Sequence, residues 1–166
     1  MKFLNLIKDG KHQAILDYIK NSPHLASYEE YALIERGNSD EIMMCIAYHS
    51  LDRVAFEAFL KRGKLNEIRF YLACNRTIYN DILLLDIGKG IINEYIDYLI
   101  RNAQQYDEPS LVNIQIKLIL MDDHCALRRY ICQVKLEPQA LKMLRQRGSK
   151  VDNLVYDLRW KSPLPY

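Results

Sequence analysis

Little in this chain of 166 residues breaks or staples a helix: it has six Gly, five Pro and one Trp. No Asn-Gly or Asp-Gly pair sits between alternating apolar and polar runs, and helical periodicity surrounds the one Asp-Gly, Asp9-Gly10. That scarcity of hairpin signals argues against a strand-rich fold. The four cysteines (Cys45, Cys74, Cys125 and Cys132) never form C-x-x-C. They read as buried free thiols, with Cys125 and Cys132 on one helical face, rather than as metal ligands or a disulfide. No apolar run approaches the ~18–20 residues of a membrane span. Met1 to Asp9 alternates apolar and polar residues and lacks a signal peptide's long apolar region. A cytoplasmic protein without membrane contact is the expectation. A chain of this length buries roughly 70% of its unfolded surface, enough to fold without a disulfide or metal.

Catalytic signatures are missing as well. There is no Gly-x-Gly-x-x-Gly, Walker lysine motif, Gly-x-Ser-x-Gly or His-Glu-x-x-His. Gly88-Lys89-Gly90 is a lone Gly-x-Gly. The densest set of potential metal ligands is Asp122-Asp123-His124-Cys125, which reads as helix capping, since a metal site would need further ligands that the sequence does not identify. The expectation is a protein that is not an enzyme and needs no cofactor or metal.

What is there is a repeat. Ala32-Leu33-Ile34-Glu35-Arg36-Gly37 realigns on Ala58-Phe59-Leu60-Lys61-Arg62-Gly63 at an offset of 26 residues without a gap. With Gly as position zero, the same frame fits Gly10, Gly90, Asp122 and Gly148, at spacings of 27, 26, 27, 32 and 26 residues along the six copies. Position −3 is Ile7, Ile34, Leu60, Ile87 and Ile119; position +5 is Ile15, Ile42, Ile68, Tyr95 and Leu127. Position +8 is Tyr or Cys throughout, from Tyr18 to Tyr156, and +9 is Ile or Leu in five copies. In the sixth copy the pattern reads as shifted by one, with Leu154 and Leu158 in the +5 and +9 roles.

Positions +1, +5, +8, +9 and +12 share one face of a helix, the spacing of a buried stripe. The residues before the Gly make a second stripe, so each copy reads as two short helices. The Gly fits a helix C′ position, where the chain turns left-handed and a Cβ would clash. Asn38 with Glu41, Ser27 with Glu30, Asp52, Asn66 and Ser149 mark helix starts, as do Pro109 and Pro138. The +8 tyrosines are expected at the edge of the core with their hydroxyls in water. The recurrent Glu41, Glu67 and Glu94 at +4, and Arg36, Arg62 and Arg147 at −1, are the charges that helix dipoles favour. The extra length before Asp122 falls in residues 101–109 and reads as a longer surface loop.

A 26-residue unit of two short helices cannot bury its own faces, and stacking solves that problem. The unit resembles a compact relative of the HEAT and armadillo α-solenoids, or of the leucine-rich-repeat variant type, over residues 3–158. The resemblance implies an all-α fold: a right-handed α-α superhelix of about six repeats forming a single domain over residues 1–166, with a tendency to bind other proteins.

The net charge of +2 is uneven. Residues 1–76 hold 11 basic and 10 acidic side chains, residues 77–127 hold 3 and 8, and residues 128–166 hold 9 and 3. This polarity and the absence of catalytic residues favour a protein-interaction module with another, acidic protein as partner. Arg128, Arg129, Arg145, Arg147, Lys150 and Trp160 are the residues expected to meet it. Phe3, Leu4, Leu6 and Ile7 at the start, and Trp160, Leu164 and Tyr166 at the end, suit self-association through apolar solenoid ends, a tail folded back as a cap, or a chain that continues past Tyr166. The alternative function is nucleic-acid binding through the basic C-terminal third, with Trp160 as a stacking ring.

Overall fold

The computed structural model describes residues 2–79 and 91–161. Gly88, Lys89, Gly90 and residues 162–166, with the expectations that fall on them, lie outside the described residues. Eleven α-helices and one short 3₁₀ turn make up the described regular structure, and there is no strand among the described residues. The all-α expectation therefore holds. Chain contacts gather into two compact units, residues 1–91 and 92–166.

The first unit holds α1 (Lys2–Lys8), α2 (His12–Asn21), α3 (Ser27–Arg36), α4 (Ser39–Tyr48), α5 (Arg53–Arg62) and α6 (Leu65–Ala73). Each helix packs on the next but one: α1 on α3 on α5, and α2 on α4 on α6. The apolar stripes meet between these two rows. Ile15, Ile19, Ile42, Ile46, Phe56 and Phe59 are fully buried, each such side chain contributing about 1.5–3 kcal/mol. Phe56 and Phe59 both set their rings 5.4 Å from Tyr71. The second unit holds α7 (Ile92–Asn102), the 3₁₀ turn Ala103–Gln105, α8 (Glu108–Leu120), α9 (His124–Ile131), α10 (Pro138–Arg147) and α11 (Lys150–Trp160). Here α7, α9 and α11 form one row and α8 and α10 the other.

The junctions follow the frame. Gly10, Gly37 and Gly63 take φ of 67, 77 and 66°, and Asp122 holds the same left-handed turn at 59°. Gly148 departs from it, with φ −71° and ψ 155°. A Cβ there would stand 2.6 Å from the Leu144 carbonyl oxygen, so close approach demands glycine instead. Asn38, Asp52, Asp107 and Ser149 accept the expected N-cap bonds. Asn66 lies inside α6, and Ser27 and Glu30 form no box. Ser27 donates to Asp52, while Glu30 accepts the Asp52 backbone N–H at 2.9 Å.

Three expectations about burial fail. The +8 tyrosines are not edge residues: Tyr71, Tyr98, Tyr130 and Tyr156 are buried, and only Tyr18 is half-exposed. The Tyr71 hydroxyl finds the Thr77 carbonyl at 2.5 Å, and the Tyr130 hydroxyl accepts from Gln115 at 3.2 Å. Only Cys45 of the four free thiols is buried; Cys125 is exposed. The sixth copy is not shifted. Asp152 at +4 and Tyr156 at +8 face the interior, leaving Leu154 and Leu158 outside. Polar contacts hold this frame: Asn153 donates to the Leu144 carbonyl at 3.2 Å and Asp157 pairs with Arg145, so α10 and α11 meet through hydrogen bonds where other copies use +5 and +9 apolar pairs.

Candidate functional site

Successive helices of the α2–α4–α6 and α9–α11 series are tied at both ends. At the N-terminal end, a +4 carboxylate is buried and receives a donor from the +2 residue of the preceding helix. His12 Nδ1 lies 2.7 Å from Glu41, Ser39 donates to Glu67, and His124 Nδ1 lies 2.7 Å from Asp152. Each carboxylate also takes a guanidinium: Arg36 on Glu41 at 2.7 Å, Arg62 on Glu67 at 2.8 Å and Arg128 on Asp152 at 2.7 Å. Arg62 reaches on to the Gly37 carbonyl at 2.9 Å, joining two junctions. Burial alone would raise the Asp152 carboxyl, but hydrogen bonds from Arg128, His124 and Ser149 outweigh it and hold it below the usual range. Glu41, Glu67 and Asp152 are thus internal ion pairs rather than dipole-complementing surface charges.

At the C-terminal end, a side chain from the following helix or loop satisfies open carbonyls. His49 reaches Ile19 O at 2.7 Å, Arg76 reaches Ile46 O at 2.9 Å, and Trp160 Nε1 reaches Ile131 O at 2.6 Å. The shared task is hydrogen-bond donation near position +12, performed by His, Arg and Trp. Residue type does not repeat, so the sequence frame gave no sign of it.

These ties account for most of the expected site. Arg128 is spent on Asp152; Arg129 pairs with Asp97 on α7 and the Asn93 carbonyl. Arg145 holds Asn153 at 2.7 Å and Asp157, and lies over the Tyr156 ring. Trp160 is a helix cap with the Arg159 guanidinium 4.4 Å above its ring. The three arginines point to different neighbours and do not converge. Arg147 and Lys150 are different: both are exposed, and neither side chain has a hydrogen bond or ion pair among the described residues. They flank the turn into α11.

No family model, curated protein or solved structure matches the chain. Function therefore rests on what the exposed surface offers. Among the described residues no three His, Cys, Asp or Glu side chains gather as metal ligands, and no helix is long and apolar enough to cross a membrane. The extra length at residues 101–109 walls an open, polar cleft of about 790 Å³ with Gln133 and Lys135 opposite, and among the described residues no Ser, Thr, Cys, His or carboxylate lines it. The distinctive surface is α11. Val151, Leu154 and Leu158 are 50%, 56% and 70% exposed, a spacing of three and four residues that places them on one face. Lys150 begins that face and Lys161 follows it. Residues 138–161 carry six basic and two acidic side chains.

Proposed function

We propose that this chain is a non-catalytic α-solenoid, a right-handed superhelix of about six ~26-residue repeats resembling the HEAT/armadillo or leucine-rich-repeat-variant type, acting in the cytoplasm as a protein-interaction module. The packing of each helix on the next but one and the left-handed turns at the frame's glycines support the repeat part. The observation that carries the function is the apolar stripe of α11, exposed beside unpaired cations. A helix face of that kind suits a protein surface with complementary acidic residues.

Nucleic-acid binding fits less well. Arg128, Arg129 and Arg145 are engaged by carboxylates, and Trp160 is covered by Arg159, so only Arg147 and Lys150 keep free charge in the expected patch and its ring is not open for stacking. Affinity capture at low and high salt, set beside titration with a duplex oligonucleotide, tests the reading. A stoichiometric acidic protein partner and no saturable oligonucleotide binding at low salt are expected. Oligonucleotide binding with a steep salt dependence and no protein partner overturns it.

A further inference from the structure

The face that α11 leaves open has a defined place in the series. In α2, α4 and α9, the +2 residue is the one that meets the carboxylate of the next helix in its row: His12 with Glu41, Ser39 with Glu67, His124 with Asp152. In α9 the +6 residue, Arg128, meets the same carboxylate. Positions +2, +6 and +10 follow one another at four-residue steps and so share a face. The following helix sits over +2 and +6, where Leu16 and Met43 are half-buried in α2 and α4, while +10 lies at the rim, with Lys20 and Ala47 exposed.

In α11 those positions are Lys150, Leu154 and Leu158: Leu154 is exposed where the +6 residues of α2, α4 and α9 are half-buried, and the rim positions +3 and +10, exposed in α2 and α4 as Gln13, Asp40, Lys20 and Ala47, are here the apolar Val151 and Leu158. Lys150 stands where the other helices place the donor to an incoming carboxylate, and it has no carboxylate among the described residues.

We propose that this face of α11 docks an amphipathic acidic helix of another protein, seated as one more helix of the row, with an Asp or Glu on Lys150 and apolar side chains over Val151, Leu154 and Leu158. The proposal rests on the interaction-module reading and specifies its partner. The helices that already occupy such seats show the pattern required: Glu41-Ile42-x-x-Cys45-Ile46 and Glu67-Ile68-x-x-Tyr71-Leu72, an acid followed by apolar residues at one, four and five positions on. Charge complementarity selects an acidic helix, because residues 138–161 carry a clear excess of cations and Lys150 heads the stripe without a carboxylate among the described residues, whereas Lys161 at its far end pairs with Asp157. A second copy of this chain fits poorly. Glu41, Glu67, Glu94 and Asp152 are already engaged, and α2 carries Ala14 at +4.

The test uses the full chain and a helix-stapled peptide bearing the sequence of Leu65–Ala73, which contains the acid-apolar pattern. Trp160, the single Trp, lies at the end of α11 and serves as the fluorescence reporter. Saturable binding is expected. A peptide with Gln in place of its Glu is expected to bind about fivefold more weakly, the size of a partly exposed ion pair. Lys150→Glu is expected to weaken the Glu peptide and favour a peptide with Lys at that position. Leu158→Asp, at an exposed site, is expected to abolish binding while leaving the thermal melt unchanged.

No saturable binding up to about 1 mM, or binding indifferent to both Lys150→Glu and Leu158→Asp, overturns the proposal. So does a dimer in sedimentation equilibrium that Leu158→Asp dissolves, since that gives the face to a second copy. An acidic protein partner captured equally well by wild type and Leu158→Asp removes this proposal alone and leaves the interaction-module reading standing. Loss of every protein partner removes both.

Discussion

A carboxylate taken wholly out of water is tolerable only when its lone pairs are filled and its charge is matched. Glu67 meets both conditions through Arg62 and Ser39. Removing it with Glu67→Ala leaves a mostly buried guanidinium without a counter-ion. About 2–3 kcal/mol of stability should be lost, somewhat below the cost of breaking a fully buried pair because Arg62 keeps some solvent contact. Urea denaturation measures it, and an unchanged midpoint would show the pair to be energetically idle. Glu30 is the opposite case. Burial pushes its carboxyl up to about 7 from 4.5, with the Asp52 and Glu29 charges adding to the rise against the lowering Asp52 backbone hydrogen bond. The native state therefore holds this proton more tightly than the unfolded chain. That stabilisation is complete below about 4.5 and is lost as the pH rises through about 7. Glu30→Gln, which stays neutral, should gain in melting temperature relative to wild type as pH increases from about 5 to 8. A constant difference would rule the effect out.

At the scale of the element, the junctions decide stability. Asp122 occupies a left-handed turn that costs a side chain strain, so Asp122→Gly should stabilise by about 0.5–1 kcal/mol, net of glycine's extra freedom in the unfolded chain. Gly148→Ala should do the reverse, losing about 1–3 kcal/mol, because its Cβ would press on the Leu144 carbonyl and side chain. Equilibrium denaturation of the two variants checks both signs. The frame made the Asp122 turn legible, since the residue fills a glycine slot. It misplaced α11, because counting apolar residues favoured Leu154 and Leu158 as core. Asp152 is a charged residue whose burial depends on Arg128 and His124 from another helix, and a one-dimensional pattern does not register that.

At the scale of the whole molecule, each of the two contact units has its own buried core, one around Phe56, Phe59 and Tyr71, the other around Tyr95, Tyr130 and Tyr156. Residues 92–166 expressed alone should keep a helical circular-dichroism spectrum and melt cooperatively. A non-cooperative melt would show that this core is insufficient by itself. The uneven charge seen along the sequence also reads differently in three dimensions. Three of the cations after residue 128 are tied up locally: Arg128, Arg129 and Arg145 face Asp152, Asp97 and Asp157. Lys135, Lys142, Arg147 and Lys150 have no carboxylate partner among the described residues, and the last two flank the start of α11.

The sequence by itself determined that the chain is helical, the caps at Asn38, Asp52 and Ser149, and the left-handed turns at Gly10, Gly37, Gly63 and Asp122. Those depend on contacts within a few residues, which local patterns record. It also marked the basic C-terminal third, because charge is additive along a chain. Only the tertiary structure decided which charges are free. An Arg on a surface and an Arg closing a buried carboxylate look alike in one dimension; the difference is whether the fold buries the carboxylate, five residues on for Arg36 and Arg62 and 24 for Arg128. For the same reason Trp160 turned from a stacking ring into a helix cap, and two leucines assigned to the core became the exposed face of α11.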